Sequence, residues 1–189
     1  MLPEEKTLLT ACKRGDLNAK RELYTLYAGK LFYACLQYAE NREDAEDILQ
    51  DSFMKIFQNL EQFRGEGSLE GWLRRITVNT AIKHYHKRNR SFLRINVNHL
   101  NDDAQSDNID DNEAVPDFSN EELMAMISTL APRYRMVFCL YAIEKYSHKE
   151  IAKELNISEG TSKSQLSRSR ILLQNMIKEK TKEKKYARQ

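Results

Sequence analysis

The sequence predicts an all-α protein: two small helical domains joined by an acidic flexible linker, the C-terminal domain a helix-turn-helix. Three observations predict it. Apolar residues recur at helical spacing almost throughout, with little β-branched alternation and few glycines. The segment 98–120 is rich in Asp and Asn, poor in large apolar residues and interrupted by Pro116, so it cannot bury enough surface to fold alone. The charges are also sorted along the chain. Asn101 to Glu122 holds nine acidic residues and no basic ones, Arg74 to Arg94 seven basic and no acidic, and Lys163 to Gln189 nine basic against two acidic. The expected divisions are 1–96, 97–119 and 120–189.

In the N-terminal part, Asp16 can cap a helix in which Leu17, Leu23, Leu26, Tyr27, Leu31, Ala34, Cys35 and Tyr38 form the apolar stripe. Ala45, Ile48, Leu49, Ser52, Phe53, Ile56, Phe57 and Leu60 repeat the pattern over about Glu43 to Phe63. Gly65 and Gly67 break it, and Ser68 caps a third helix with Leu69, Trp72, Leu73 and Ile76 on one side. After the linker, Glu121–Leu130 and Pro132–Lys145 read as two more helices, Pro132 suiting a first helical position because its missing N–H has no partner to lose.

Ser147-His-Lys-Glu150 is a capping-box pattern opening a short helix with apolar Ile151, Ala152 and Leu155. Asn156 and Ile157 turn the chain, and Ser158 can cap a longer helix, which completes the helix-turn-helix outline. Rotation at about 100° per residue puts Ser162, Leu166, Ser169 and Leu173 on its packed side. Lys163, Ser164, Ser167 and Arg168 fall on the outer arc, where Arg and Lys reach guanine edges or phosphates and serine hydroxyls bond either. An ordinary surface helix would also be rich in Ser and Arg, so the charge blocks matter: two basic blocks supply the phosphate attraction of a nucleic-acid binder. Lys178 to Lys185 alone reads as a solvated tail.

Composition excludes other classes. The 189 residues, 41% hydrophobic and 31% charged with a net charge of +2, suit a soluble chain with no apolar run of membrane-spanning length and no signal peptide, expected to stay in the cytosol. Cys12, Cys35 and Cys139 are odd in number and widely spaced, which favours buried reduced thiols over disulfides or a metal site. His84 and His86 stand two apart on a helix and do not share a face, so a solvated or phosphate-contacting role is expected of them and metal is not. No nucleophile elbow or phosphate-binding loop suggests catalysis, and no cofactor is expected.

Almost the whole chain resembles the extracytoplasmic-function (ECF) group of bacterial RNA polymerase sigma factors. The resemblance rests on Asp44-Ala-Glu-Asp-Ile-Leu-Gln-Asp51, Phe63-Arg-Gly-Glu-Gly-Ser68 and Gly71-Trp-Leu-Arg-Arg-Ile-Thr-Val-Asn-Thr80 in the first half. In the second it rests on Leu130-Ala-Pro-Arg-Tyr-Arg-Met-Val-Phe138, Tyr146-Ser-His-Lys-Glu-Ile-Ala152 and Ser158-Glu-Gly-Thr161.

The resemblance implies partners and roles. The Asp44–Leu60 helix would dock on a basic coiled coil of the polymerase clamp through Asp47, Gln50 and Asp51, within a stretch, 39–70, of nine acidic and three basic residues. Asp44 and Asp47 would also favour the positive end of their own helix. The loop and helix that follow would open the promoter and hold the single non-template strand, with Arg64, Trp72, Arg74, Arg75, Asn79, Lys83 and Lys87 as contacts. Trp72 stays open between wedge and core. Lys163, Ser164, Ser167 and Arg168 would read the upstream element as duplex; Ser162 replaces the family's usual branched apolar residue and Gln165 a frequent basic one, which bears on base preference and not on binding mode. The acidic linker would either enter the polymerase's RNA channel or act as a spacer, and an anti-sigma factor would cover both domains. Two other readings compete: an autonomous helix-turn-helix regulator, which leaves the acidic helix and glycine loop without work, and a helical adaptor, which leaves the sorted charge unexplained.

Overall fold

The structure, a computed structural model, describes residues 3–93 and 118–186. The chain divides into two compact units, Met1–Ile95 and Asn96–Gln189. Every regular element among the described residues is helical. Residues 97–117 of the expected linker lie outside the described residues.

The first unit contains α1 (Pro3–Lys13), α2 (Leu17–Leu36), α3 (Arg42–Asn59) and α4 (Leu69–Leu93), with a 3-10 turn, Leu60–Gln62, closing α3. Helices α2, α3 and α4 each pack on the other two around Leu23, Leu31, Ile48, Ile56, Leu69 and Leu73, all fully buried. Capping follows the expected chemistry: Asp16 Oδ1 accepts the N–H groups of Asn18 and Ala19 at 2.8 and 3.1 Å, and Ser68 Oγ accepts that of Gly71 at 3.0 Å.

Three expectations need correction here. Helix α1 is not anticipated by a reading that starts at the Asp16 cap, because Leu8, Leu9 and Cys12 make too short a stripe to stand out. It is tied to α2 by the Tyr27 hydroxyl, which donates to Glu5 Oε1 at 2.9 Å; burial first, and then that carboxylate, push the phenol up to about 12. Second, Leu17 and Leu26 are 79% and 56% exposed. Leu26 lies roughly 100° around α2 from the centre of the buried stripe, and Leu17 precedes any neighbour that could cover it. Third, His84 is not solvated but packs against acidic residues of α3, as described below.

The second unit contains α5 (Asn120–Thr129), α6 (Pro132–Phe138), α7 (His148–Leu155) and α8 (Glu159–Tyr186). Phe118, Met126, Leu130, Tyr134 and Leu173 form one buried cluster. Ser119 and Glu122 exchange capping bonds of 3.2 and 2.9 Å, and Glu122 also pairs with Lys184 at 2.7 Å, which holds the end of α8 beside the start of α5. The helix expected over Pro132–Lys145 is α-helical only to Phe138. Cys139–Ile143 is a π-helical turn, in which the Glu144 N–H reaches the Cys139 carbonyl at 3.1 Å, and Lys145, at φ 62°, ends it. The apolar pattern continues through this turn, so spacing alone does not show the change of hydrogen bonding.

The three cysteines are free and buried. Burial, followed by Asp44, pushes the Cys35 thiol up to about 12, so it stays neutral and unreactive near neutral pH.

Candidate functional site

In the second unit the Ser147 and Glu150 pair closes a full capping box at the start of α7, with bonds of 3.2 and 2.8 Å. The chain leaves α7 through Asn156 at φ 55°, ψ 48°, a left-handed conformation that Asn tolerates better than most residues. Ser158 Oγ then accepts the Thr161 N–H at 2.9 Å and starts α8. These local choices fix the angle at which α8 crosses α7.

The rotation that follows from that geometry matches the expected one. Ser162, Leu166, Ser169 and Leu173 are buried, Lys163, Ser164 and Arg168 are exposed, and Ser167 is half-buried. Two serines fit a packed face because each hydroxyl has a partner: Ser169 donates to the Leu166 carbonyl at 2.7 Å, and Ser162 meets His148 Nδ1 at 2.9 Å. Ser164 donates to the Thr161 carbonyl at 3.0 Å, leaving Lys163 and Arg168 as the long cationic side chains of the outer arc. Arg170, two residues beyond, is exposed and lies over Tyr141 with its guanidinium 5.7 Å from the ring centroid.

In the first unit, Asp47 and Gln50 are exposed on α3. Asp51 is turned toward α4, where its Oδ2 meets His84 Nε2 at 2.8 Å. His84 Nδ1 is 3.9 Å from Asp44 Oδ1, and Asp44 also pairs with Arg88, whose Nε lies 3.5 Å from Glu40. His84 thus has acidic partners, from residues 33 and 40 positions away, that its sequence neighbours do not reveal. The network joins three carboxylates to an imidazole and a guanidinium; no cluster able to hold a metal occurs among the described residues. Met54, 54% exposed, shares the face of Asp47, Gln50 and Asp51 at helical spacing and borders a groove lined by Tyr24, Phe32, Phe53 and Phe57.

Arg75, Asn79, Lys83 and Lys87 are exposed at intervals of four along α4, forming one polar and cationic stripe. Arg74 is half-buried and donates to Gln37 Oε1 at 3.2 Å, so it faces α2 and is separate from that stripe. Trp72 is half-buried against Phe63, ring centroids 5.3 Å apart. Arg64 is exposed in the loop where Gly65 and Gly67 take φ of 82° and 80°, a left-handed path that favours glycine.

Three side chains at these faces escaped the sequence reading. Met54 was visible as i+4 from Gln50 but carries no charge. Lys55 on α3 donates to Thr80 Oγ1 at 3.1 Å and is pulled below its usual range by burial and then by Lys83, so the cationic stripe extends onto α3. His148 was legible only as part of a capping motif.

A helix-turn-helix with a cationic outer arc defines a DNA-reading domain, here carried with a second helical unit that has an acidic helix and a cationic stripe of its own. The profile described as Sigma-70 region 2 matches residues 23–91, and that described as Sigma-70, region 4 matches residues 120–173. The ECF RNA polymerase sigma factor SigE of Mycolicibacterium smegmatis is 28% identical over 160 residues, 82% of this chain, although the match spans only 60% of that protein. The ECF RNA polymerase sigma-E factor of Haemophilus influenzae is 27% identical over 182 residues, covering 92% of this chain and 95% of that one. The sigma factor RpoE of Bartonella quintana, solved in complex with the anti-sigma factor NepR, superposes with a TM-score of 0.49 at 22% identity, covering 84% of this chain and 96% of that chain. That last likeness is too loose to carry a partner over. The chain belongs to the sigma-70 family of RNA polymerase sigma factors, within its ECF group.

Proposed function

We propose that the chain is the promoter-specificity subunit of RNA polymerase, with its two units assigned to different steps. The second unit reads the upstream promoter element as duplex, through Lys163, Arg168 and the hydroxyls of Ser164 and Ser167. The observation that carries this is the rotation of α8: its buried side consists of Ser162, Leu166, Ser169 and Leu173, which turns both cations outward.

In the first unit, the exposed Asp47 and Gln50 with Met54 form the surface that meets the polymerase, an acidic face with an apolar centre. Asp51 meets His84 on one side and keeps its side chain 49% exposed, so it belongs to the same face. Arg75, Asn79, Lys83 and Lys87 track the separated non-template strand, and the half-buried Trp72 sits at the fork. This work takes place where the polymerase is, in the cytosol. An anti-sigma factor that covers the α3 face or the outer arc of α8 would block one of the two steps. No helix among the described residues is long and apolar enough to cross a membrane.

The test is co-purification with core polymerase. Asp47→Lys should weaken binding about tenfold or more with an unchanged circular dichroism spectrum; undiminished binding would sink the docking assignment. Lys163→Ala with Arg168→Ala should leave binding to polymerase as in the wild type.

A further inference from the structure

Ser162 differs from the other buried serines and threonines. Ser52, Thr77, Thr80 and Ser169 each donate to a carbonyl of their own helix, at 2.6, 3.1, 2.8 and 2.7 Å. Ser162, fully buried, instead meets Nδ1 of His148 on the neighbouring helix at 2.9 Å. The imidazole is held on its other side by stacking on Tyr141, ring centroids 4.7 Å apart with planes 24° from parallel. Tyr141 belongs to the π-helical turn, and Arg170 of α8 lies over it. Ring and hydroxyl therefore join three elements at the first turn of the recognition helix, next to Lys163.

The bond can run either way, since a hydroxyl can donate to Nδ1 or accept from it. A buried hydroxyl has one proton to place, and leaving it without an acceptor costs more than the bond is worth. The arrangement in which Ser162 donates across to the ring makes Nδ1 the acceptor and places the ring proton on Nε2. Only neutral imidazole can serve. A proton on Nδ1 would turn the acceptor into a donor, force the hydroxyl away, and put a third positive charge beside Lys163 and Arg170.

We propose that His148 is a positioning residue for promoter reading: neutral, with its proton on Nε2, it holds Ser162 and so sets the first turn of the recognition helix, and protonation releases that hold. The charged groups around it agree in direction. Burial of the ring first, then Lys163 and Arg170, pull His148 below its usual range; Glu159 opposes them, and the Tyr141 phenol packs flat against the ring. A depressed histidine contributes stability that is present above its unfolded value, about 6.5, and is lost as pH falls through the folded value. Upstream-element use should therefore decline in mild acid. The inference rests on α8 being the promoter-reading helix.

The experiment has two arms, both on the full chain. Nitrogen-15 NMR of the histidine rings should find His148 neutral near neutral pH with Nδ1 unprotonated; a proton on Nδ1 overturns the proposal. The second arm measures transcription by the assembled holoenzyme from a template whose upstream element was selected by that holoenzyme from a random pool. His148→Asn keeps an acceptor where Nδ1 stands and does not titrate, whereas His148→Ala has none. As pH falls from about 7.5 into the range below about 6.5, wild-type output relative to His148→Asn should fall, by up to about fivefold, the loss of one hydrogen bond, and His148→Ala should be low throughout. Ser162→Ala should abolish the pH slope. A wild-type ratio that stays flat overturns the proposal, as does one that rises in acid, the result expected if the ring contacted phosphate as a cation. No transcription at any pH, with the tautomer as stated, would instead overturn the promoter reading beneath it.

Discussion

The packed sides of α4 and α8 differ in their use of charge. In the first unit, charged side chains reach partners on neighbouring helices: Asp44 and Arg88, 17% and 20% exposed, pair with each other, His84 meets Asp51, and Arg74 donates to Gln37. In the second, the packed side of the long helix carries hydroxyls, and its lysine and arginine point to solvent. The proposed function gives the difference a reason. A helix proposed to read DNA needs free cations on a rigid base, and the base of α8 is built from small groups that satisfy one another. A unit proposed to meet polymerase on α3 and DNA on α4 must hold two faces in fixed relation, and the Asp51–His84 and Asp44–Arg88 pairs link those two helices.

The sharpest way to break this contrast is to remove a partner from the inward network. Arg88→Met leaves the Asp44 carboxylate largely buried without its guanidinium and should cost the first unit about 3 kcal/mol, read as a lower denaturant midpoint. A change within measurement error would mean that the pair is solvated and the contrast false. Lys163→Ala with Arg168→Ala should reduce use of the upstream element by about thirtyfold while leaving the unfolding midpoint where it was. Equal loss on all templates would mean phosphate attraction and not base reading. Ser158→Ala removes the cap of α8 and should destabilise the second unit by about 1 kcal/mol. Ser169→Ala, whose hydroxyl bonds only within its helix, should change stability by less than about 0.5 kcal/mol. If Ser169→Ala proves as costly as Ser158→Ala, the packed side of α8 depends on hydroxyls more than its geometry indicates.

What the sequence made legible was local. Caps at Asp16, Ser68, Ser147 and Ser158 depend on residues within three positions, and the rotation of α8 depends on helical pitch alone; all were readable and all match the structure. What escaped was set by distance or by small differences in hydrogen bonding. His84 and Asp51 are 33 residues apart, and Arg88 and Asp44 are 44 apart, so nothing in either neighbourhood announces the pair. The π turn at Cys139–Ile143 keeps an apolar pattern that an α-helix would also keep. Arg74 and Arg75 look equivalent in the sequence, yet one turns to Gln37 and the other to solvent. Ser162 was noticed as a departure, but its meaning lay in His148, fourteen positions earlier on a different helix.

On the proposed function, one chain confers promoter choice on polymerase through two separate faces. The most direct measurement is transcription in vitro from sheared genomic DNA with core polymerase of the same organism, with 5′ ends sequenced, using the wild type and Lys163→Ala with Arg168→Ala. New starts that share two short motifs at fixed spacing, with the upstream motif lost from the double variant's starts, are what the account predicts. Tight duplex binding by the chain with no new starts would contradict it and identify an autonomous helix-turn-helix regulator instead.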